Sequence, residues 1–384
     1  MTGRVLFYVQ HLLGVGHLKR AEILAEAMGA AGLDVTVAYG GLPFPEVPFR
    51  GVRLAQLPSA TIAGEDFSTL LNAAGAPVDD AWLAKRRAAL LDLYRSMDPD
   101  VVLIELFPFG RRQFRFELTP LLETIHARDP RPRVACSVRD ILVTRKPGRA
   151  EEAAETLRRY FDAVLVHGDP ALIPFEATFS AAERISDLIR YTGYVCAAAE
   201  SAEASAGQDE VVVSAGGGAV GAPLLFAAIE ARPMTPLAGH RWRFLTGPNL
   251  GDAEYRKLAA MADNRTIVER FRPDFAGRLR SAALSISQAG YNTTMDILAS
   301  GARAVVVPYE TKDETEQRLR AEILAAKGLL TLVPAAELAP ARLAAAISAA
   351  MEMPHASVTV NLSGATSAAE LIRNLALSGQ HVDG

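Results

Sequence analysis

The sequence predicts an α/β protein of two domains, each built around a doubly wound parallel sheet. Short β-branched strands alternate with longer Ala- and Leu-rich helices along nearly the whole chain of 384 residues. Continuous apolar strands separated by helices are typical of parallel sheets that are covered on both faces. The pattern also starts twice, because each half opens with a strand, a glycine-rich turn and a helix. We therefore expect two Rossmann-like domains that face each other across a ligand-binding cleft.

Composition narrows the class of protein. Half of the residues are hydrophobic, 22% are charged and the net charge is -4, so the chain should form large cores and nucleic acid is not expected as its main partner. Cys136 and Cys196 match no metal-ligand spacing and are expected to be reduced core thiols. No leader is expected, because the sequence opens directly with a predicted strand, and it contains no run of about 20 apolar residues. This favours a cytoplasmic protein, and a peripheral contact with the inner face of the membrane stays open.

The first half, residues 1–197, should hold five buried strands with helices between them. The strands are expected at Arg4–Val9, Leu33–Ala38, Asp100–Glu105, Arg133–Val138 and Ala163–His167. The clearest helices are expected at Leu18–Ala30, Asp80–Arg95 and Leu118–Ala127. Residues 198–209 are small and polar, as is typical of a flexible linker.

The second half, residues 210–360, repeats the alternation. Its strands are expected at Glu210–Ser214, Trp242–Thr246, Thr266–Glu269, Ala283–Ser287, Ala304–Val307 and Leu329–Val333. Its helices are expected at Ala222–Glu230, Ala253–Met261, Thr293–Ala299 and Glu314–Ala326. Residues 361–384 are expected to form a C-terminal helix and tail that could pack back on the N-terminal domain.

The glycine loop of the second half indicates anion binding. Gly216, Gly218 and Gly221 satisfy G-x-G-x-x-G after a strand, which suggests a dinucleotide site. Such a site also needs an acidic residue for the ribose at the end of the next strand, but residues 244–247 read FLTG. The loop is therefore expected to let a phosphate group approach a helix N-terminus, unless its glycines serve packing alone.

A second segment of this half is more specific. A strand ends near Ser287, a glycine turn follows, and Asn292, Thr293 and Thr294 open a helix with residue types that favour N-caps. A diphosphate at that helix start would gain the dipole and several N–H donors. Asp296 could then reach the hydroxyls of a ribose, although an acid in a first turn is also favourable by itself.

The order of these motifs resembles the C-terminal domain of the MurG-like glycosyltransferases, which have the GT-B fold and a family 28 type C-terminal domain. The resemblance lies in the glycine loop, in SQAGYNTTMDILASG (residues 287–301) and in VPYETKDETEQ (residues 307–317). It covers residues 210–335 well and is patchy in the first half. There, Gly14-Val-Gly-His-Leu18 resembles the family's N-terminal glycine loop, which a histidine follows.

The resemblance implies UDP as the nucleotide of an activated sugar donor, with the second half as donor domain and the first as acceptor domain. Asp296 takes the place of the family's acidic ribose ligand, which is more often Glu. Phe271 and Arg272 fall where the family's backbone meets the nucleobase of the donor, and Glu316 and Gln317 fall near the donor sugar. In all, the nucleotide-sugar site is expected to involve Gly14, Gly16, Ser214, Gly216, Gly217, Gly218, Phe271, Arg272, Gln288, Gly290, Asn292, Thr293, Asp296, Glu316 and Gln317.

Sugar transfer also needs a base for the acceptor hydroxyl, and polar residues at the strand ends of the first half are the candidates. We expect His17, Glu105 or Asp140 to act there, with His17 first because of its loop. His167 also ends a strand, and His11 could line the same loop. No metal and no cofactor are expected, because the D-x-D of residues 98–100 lies at the start of a strand. The predicted reaction is metal-independent and inverting.

Two alternatives keep the same donor site. A nucleotide-sugar hydrolase would use His17 to activate water, and a non-catalytic subunit would bind the nucleotide sugar without turnover. The acceptor, whether lipid-linked, a glycan or a small molecule, is not identified by the sequence. Arg111, Arg112 and Arg115, together with four phenylalanines between residues 107 and 116, could receive an anionic or lipid-linked acceptor. They could equally be a solvated helix start over core aromatics.

Overall fold

The computed structural model forms two compact units. Residues 1–195 and 363–384 make up the first unit, and residues 196–362 make up the second. The structure describes residues 2–12, 16–45, 47–62, 69–142, 148–196, 209–217, 220–272, 274–311, 315–353 and 359–378. Gly14, Gly218 and nearly all of the predicted linker lie outside these ranges.

The first unit is built on a seven-stranded parallel sheet. Its elements are β1 (Arg4–Val9), α1 (Gly16–Ala30), β2 (Asp34–Tyr39), β3 (Arg53–Gln56), β4 (Ala60–Ile62), β5 (Leu70–Asn72), α2 (Asp80–Met97), β6 (Val101–Glu105), α3 (Arg115–His126), β7 (Arg133–Arg139), α4 (Arg149–Tyr160), β8 (Ala163–His167) and β9 (Ile189–Tyr191). The strand order is β3-β2-β1-β6-β7-β8-β9, and β4 and β5 form a separate antiparallel hairpin.

The second unit holds a six-stranded parallel sheet. Its elements are β10 (Glu210–Ser214), α5 (Ala222–Ala231), β11 (Arg241–Leu245), α6 (Asp252–Ala260), β12 (Thr266–Glu269), α7 (Phe275–Leu279), β13 (Leu284–Ser287), α8 (Tyr291–Ser300), β14 (Ala304–Val306), α9 (Glu316–Ala326), β15 (Thr331–Leu332) and α10 (Pro340–Glu352). The order is β12-β11-β10-β13-β14-β15. The last helix, α11 (Gly364–Ser378), belongs to the first unit.

Strand β1 shows why two helical layers cover each sheet. Val5, Phe7 and Val9 pack into a core with α1 and α11, while Leu6 and Tyr8 pack into the core on the opposite face. Successive side chains of a strand point to opposite faces, so a continuous apolar strand needs cover on both sides. The prediction of two parallel-sheet α/β domains is thereby confirmed.

Helix α11 is held on the first unit by small residues and one close approach. Its buried alanines and Ile372 share a core with α1. Gly364 stands where a Cβ atom would come within 2.4 Å of the carbonyl oxygen of Gly193, so a side chain at this position would push the helix away. The glycine therefore allows the chain to return to the first unit.

The structure corrects the start of one predicted helix. Helix α8 begins at Tyr291 with Gly290 as its N-cap, whereas Asn292 to Thr294 form its first turn. The Gly290 carbonyl accepts the backbone N–H of Thr294 at 2.9 Å, and so closes that first turn. Among the described helices, none is both long and apolar enough to cross a membrane.

Candidate functional site

Both sheets have a topological switch point, and the predicted site residues lie beside them. In the first sheet the chain leaves β1 for β2 and β3 and then returns to place β6 on the other side of β1. In the second sheet β10 and β13 have the same relation. Crevices form at the carboxyl ends of such strand pairs, because the two following connections turn away from each other. The ends of β1 and β6, and of β10 and β13, are thus the expected ligand sites.

At the first switch point, two separately predicted residues meet. The Nδ1 atom of His17, in the first turn of α1, lies 2.7 Å from Oε1 of Glu105, the last residue of β6. Arg20, one turn further along α1, donates to the same oxygen at 2.8 Å. Nη2 of Arg20 also lies 3.1 Å from Nδ1 of His17, but the contact with the carboxylate is shorter. Because a carboxylate only accepts hydrogen bonds, this shorter contact places the proton of neutral His17 on Nδ1. Its Nε2 atom is then unprotonated and able to accept a proton.

The environment keeps His17 neutral and Glu105 charged. Burial lowers the pKa of His17 to about 4, although the carboxylate of Glu105 works in the opposite direction. Burial alone would raise the pKa of Glu105, but His17, Arg111 and Arg20 lower it to about 2. The pair is therefore a neutral imidazole held by a carboxylate, as a general base requires.

The next strand end contributes Asp140. It follows β7 and is fully buried, and its Oδ1 atom accepts the backbone N–H of Ile141 at 3.0 Å. Gly168 packs against it, since a Cβ atom on that glycine would lie 2.8 Å from the Asp140 Cβ. The structure thus places Asp140 at the same edge of the sheet as Glu105, with one oxygen used in its own turn. Its catalytic role stays a prediction.

The other two histidines of this edge are held by neighbours. His167 is buried between the hydroxyls of Ser137 at 2.8 Å and Thr192 at 2.9 Å. Burial lowers its pKa to about 3. His11 stacks on Tyr39 and its Nδ1 atom lies 2.7 Å from the tyrosine hydroxyl. These contacts hold both imidazole rings in place, and the loop that His11 was expected to line lies largely outside the described residues.

At the second switch point, the loop after β10 turns sharply. Gly216 has φ +58°, a conformation that favours glycine, and its N–H lies 3.4 Å from the hydroxyl of Ser214. Gly217 accepts a backbone hydrogen bond from Asn249 at 3.2 Å. At Gly221, a Cβ atom would lie 2.2 Å from that of Ala215, so the helix start approaches the strand too closely for a side chain. The loop therefore presents bare backbone beside a helix N-terminus.

Helix α8 begins at the end of β13, next to this loop. Gln288 lies between them, with its Oε1 atom 4.0 Å from the position that a Cβ on Gly216 would take. A Cβ on Gly290 would meet nothing within 4 Å, so the helix start is open. Asn292, Thr293 and Asp296 are half-buried on the first turns of the helix. The predicted phosphate and ribose contacts therefore share one helix start.

Buried hydroxyls at this switch point lack partners within the described residues. Ser287 ends β13 and Thr294 lies in the first turn of α8, and both are fully buried. Neither hydroxyl makes a hydrogen bond in the described part of the chain. Buried polar groups are nearly always paired, so orphaned hydroxyls beside an open helix start suggest that a polar ligand belongs there.

The remaining predicted donor residues differ in how available they are. Glu316 is buried and its carboxylate accepts from Arg320 at 2.7 Å, while Gln317 accepts the backbone N–H of Tyr309 at 3.0 Å. Arg272 pairs with Asp274 at 2.7 Å. Phe271 is 64% exposed, which is unusual for a large apolar side chain. Of these four side chains, only that of Phe271 is largely exposed to a ligand.

Sequence reasoning missed several residues of these sites. Arg20 is three residues after His17, a spacing that places both on one helix face, and this signal was available. Arg111 was named, but only as one of three arginines of a basic run and without its contact with Glu105. Asn249 carries no motif at all, and Ser287 was named only as a strand end and the first residue of the segment 287–301. In the described residues, no group of three His, Cys, Asp or Glu side chains is placed to hold a metal.

Comparison with known proteins locates the strongest similarity in the second unit. Residues 212–375 match the family model of the Glycosyltransferase family 28 C-terminal domain. The chain is also similar to two UDP-N-acetylglucosamine–N-acetylmuramyl-(pentapeptide) pyrophosphoryl-undecaprenol N-acetylglucosamine transferases. The one from Rhizobium meliloti (strain 1021) is 38% identical over 104 residues, 27% of each chain. The one from Sinorhizobium fredii is 35% identical over 127 residues, 32% of this chain and 33% of the relative.

Solved structures are similar over nearly the whole chain. The calicheamicin glycosyltransferase CalG4 has a TM-score of 0.61 at 15% identity, and the alignment covers 99% of this chain and 95% of CalG4. MurG of Acinetobacter baumannii has a TM-score of 0.57 at 15% identity, with 98% and 95% covered. At such identities the likeness shows the fold, which is GT-B. The resemblance to the MurG-like glycosyltransferases is confirmed, with the sequence matches spanning about a quarter to a third of the curated relatives' length.

Proposed function

We propose that the protein is a glycosyltransferase that moves a sugar from a UDP-linked donor to an acceptor hydroxyl. One observation carries the proposal. The family 28 match over residues 212–375 contains every predicted donor residue of the second unit, from Ser214 to Gln317. The named relatives use UDP-N-acetylglucosamine, which supports UDP as the nucleotide. The nucleotide-sugar hydrolase and the binding subunit then become outcomes that assays must exclude.

The donor diphosphate is proposed to bind at the start of α8. The open N-cap at Gly290 leaves the first N–H groups of the helix for the phosphate oxygens, and the helix dipole adds to their attraction. The backbone of Gly216 and Gly217 approaches from the loop after β10. These donors would stabilise the charge that develops on the leaving diphosphate. We therefore propose that transfer needs no metal.

The nucleoside end of the donor is proposed to bind Asp296 and the backbone near Phe271. Asp296 lies about one turn beyond the phosphate-binding end of α8, within the length of a ribose diphosphate. A carboxylate can accept from both vicinal hydroxyls of a ribose. The exposed ring of Phe271 marks the segment that would meet the base. Glu316, held by Arg320, is proposed to act by fixing the start of α9, where Gln317 lies.

The acceptor is proposed to react in the first unit beside His17. As the acceptor oxygen forms its bond to the anomeric carbon, the bond from that carbon to the diphosphate oxygen breaks and its electron pair leaves with UDP. The acceptor proton passes to Nε2 of His17. Glu105 stabilises the imidazolium that results, because it lies 2.7 Å from the other ring nitrogen. A single displacement of this kind inverts the anomeric centre.

Donor binding can be tested before the acceptor is known. Calorimetry of the full chain with UDP should give saturable binding, and Asp296→Ala should weaken it about 10- to 100-fold, which corresponds to loss of charge-assisted hydrogen bonds of about 1.5–3 kcal/mol. The matched control is Glu230→Ala, an exposed acid on α5 of the same unit. Equal UDP affinity in wild type and Asp296→Ala would refute the donor site.

Turnover distinguishes the three candidate functions. UDP release from a UDP-sugar that requires an added acceptor and persists in EDTA supports a metal-independent transferase. Release at the same rate without acceptor would show a hydrolase, and binding without release under any acceptor would show a binding subunit. The anomeric configuration of the product, measured by proton NMR, tests inversion.

A further inference from the structure

Arg111 lies beside Glu105, the carboxylate that holds His17, and its guanidinium group is not fully hydrogen-bonded within the described residues. Its side chain is 10% exposed, and its Nη2 atom is 3.6 Å from Oε2 of Glu105, the oxygen that His17 does not use. Its buried Nε atom has no hydrogen-bond partner in the described residues. A guanidinium carries five N–H donors in a planar fork that matches the oxygens of carboxylates and phosphates. The Nε–H group of the nearly buried Arg111 is therefore left without a partner among the described residues.

The backbone holds Arg111 in this place at a cost. Its φ is +59°, in the left-handed region, and Leu106 in the same connection has φ +64°. Left-handed backbone is unfavourable for side chains other than glycine and persists mainly where the surroundings require it, often at functional sites. The left-handed conformation falls on Arg111 itself, although the preceding residue, Gly110, would adopt it without strain. The side chain of Arg111 is thus directed to the site against local preference.

The neighbouring arginines of the basic run do other work. Arg112 and Arg115 both bind the carboxylate of Glu152 on α4. The phenylalanines of this segment pack inside the unit, as Phe109 shows by its edge-to-face contacts with Phe175 and Phe179. Most of the basic run is therefore a solvated helix start over core aromatics, one of the two interpretations that the sequence left open. Arg111 is the arginine of this run that lies beside Glu105, the partner of His17.

Cations outnumber anions around His17. Arg20 and Arg111 interact there with Glu105, and Arg139 acts on both His17 and Arg111. Asp140 is the other buried carboxylate at this edge of the sheet. Burial lowers the pKa of Arg111, and the charges of Arg139 and Arg20 add to that effect. An added anion would relieve this repulsion. Like charges gathered in a partly desolvated site are the usual basis for binding an anionic ligand.

We propose that Arg111 determines acceptor specificity by binding an acidic group, phosphate or carboxylate, that the acceptor carries beside its reacting hydroxyl. The inference rests on the proposed transferase function and names the substrate class of its acceptor site. Arg111 is within reach of the same carboxylate as His17, so a bound anion and the hydroxyl would both lie next to the base. The acceptor class is an acidic alcohol, such as a phosphorylated or carboxylated sugar or lipid headgroup.

This arrangement also favours the acceptor over water. Without an anion, burial keeps His17 a weak base, and the cations of Arg139 and Arg20 weaken it further. An acidic group on Arg111 adds a negative charge near the imidazole and raises its proton affinity. A neutral water molecule brings no such charge. The base is therefore strengthened only when the correct acceptor is bound, and the donor is spared from hydrolysis.

The test uses the full chain saturated with UDP, so that the donor phosphate site is already filled. Inorganic phosphate is the first probe and acetate the second, and the readout is the proton NMR titration of the ring of His17, assigned by its loss in His17→Gln. Phosphate should raise the pKa of His17 by about one unit, the lower end of the effect of an opposite charge within a few ångströms. Arg111→Met should abolish the shift, and Arg111→Lys should retain part of it.

The control is Arg115→Met, which removes an arginine of the same run that is engaged with Glu152 and should leave the phosphate response intact. An unchanged His17 titration in wild type, or an equal shift in Arg111→Met, would overturn the inference. Circular dichroism confirms that each variant is folded. If UDP itself fails to bind, the proposed function fails; if UDP binds and phosphate has no effect on His17, only the role of Arg111 fails.

Discussion

Replacing Glu105 with Gln tests whether a buried carboxylate sets the state of the base. The distance from its Oε1 to Nδ1 of His17 is 2.7 Å. With an effective dielectric constant of about 20, the attraction between that carboxylate and an imidazolium is about 6 kcal/mol as an upper limit. Glu105→Gln should therefore lower the pKa of His17 still further and allow both neutral tautomers. Loss of an orienting carboxylate of this kind reduces turnover about 10⁴-fold in Ser-His-Asp triads, and we expect a similar size here.

The same substitution also costs stability, which has to be separated from its effect on catalysis. Arg20 and Arg111 would lose their shared anion, and breaking a buried ion pair costs about 3–5 kcal/mol. Glu117→Gln is the matched control, because Glu117 is equally buried and pairs with Arg86 at 2.9 Å but does not contact His17. Both variants should unfold at lower denaturant concentration by similar amounts.

The assay is nitrogen-15 NMR of the imidazole together with UDP release from a UDP-sugar. In wild type and Glu117→Gln, the ring of His17 should be the Nδ1–H tautomer; in Glu105→Gln it should be a mixture, and only that variant should lose turnover. A single Nδ1–H tautomer with unchanged turnover in folded Glu105→Gln would refute the account of the base.

Further predictions concern pH and the glycine positions. The free energy of unfolding should fall as the pH drops from 6.5 to 4. Burial lowers the pKa of His17 and His11 to about 4 and that of His167 to about 3. In this pH range the unfolded chain therefore binds protons that the folded chain does not bind. Each histidine contributes at most about 1.4 kcal/mol per pH unit, and denaturant titrations of His167→Gln should show a slope lower by one proton. Gly290→Ala should leave the melting temperature unchanged, since its Cβ meets no atom, yet weaken UDP binding in calorimetry if the diphosphate approaches there. Gly221→Ala should destabilise the fold by about 1–3 kcal/mol in the same titrations because its Cβ would overlap Ala215; no loss of stability would contradict the close approach.

Much of this fold could be predicted because parallel strands of α/β proteins are nearly continuous apolar runs. Strands β1, β8, β10 and β12 begin and end at the predicted residues. Strand β3, in contrast, is an edge strand with the sequence RLAQ and mostly exposed side chains, so it carries no hydrophobic signal. Strands β4, β5 and β9 have only three residues each, too few for a period to be recognised.

The candidate site was predictable where topology decides it and not where a single backbone conformation does. His17 and Glu105 are 88 residues apart, and they were chosen separately, His17 for the glycine loop that precedes it and Glu105 because it ends a strand. Their contact follows from the switch point, which brings the ends of β1 and β6 together. Arg111 reaches the same carboxylate through a left-handed residue and a turn that no local pattern predicts. The partner of Glu316 could have been found, because Arg320 stands four residues later on the same helix face.

The two switch points share the same strand topology but carry different chemical groups. The second sheet ends in glycines, small hydroxyls and an open helix start. In the proposed function these groups bind an anion by backbone donors, which make few demands on side-chain identity. The first sheet ends in the proposed base His17, which is partly buried, its carboxylate and several guanidinium groups, whose roles depend on side-chain contacts. Backbone-based binding leaves a recognisable spacing in the sequence, whereas a constellation of side chains from β6, α1 and the turn at Arg111 does not. This explains why the proposed donor site lies within the family match over residues 212–375, while the proposed acceptor site must be inferred from its charges.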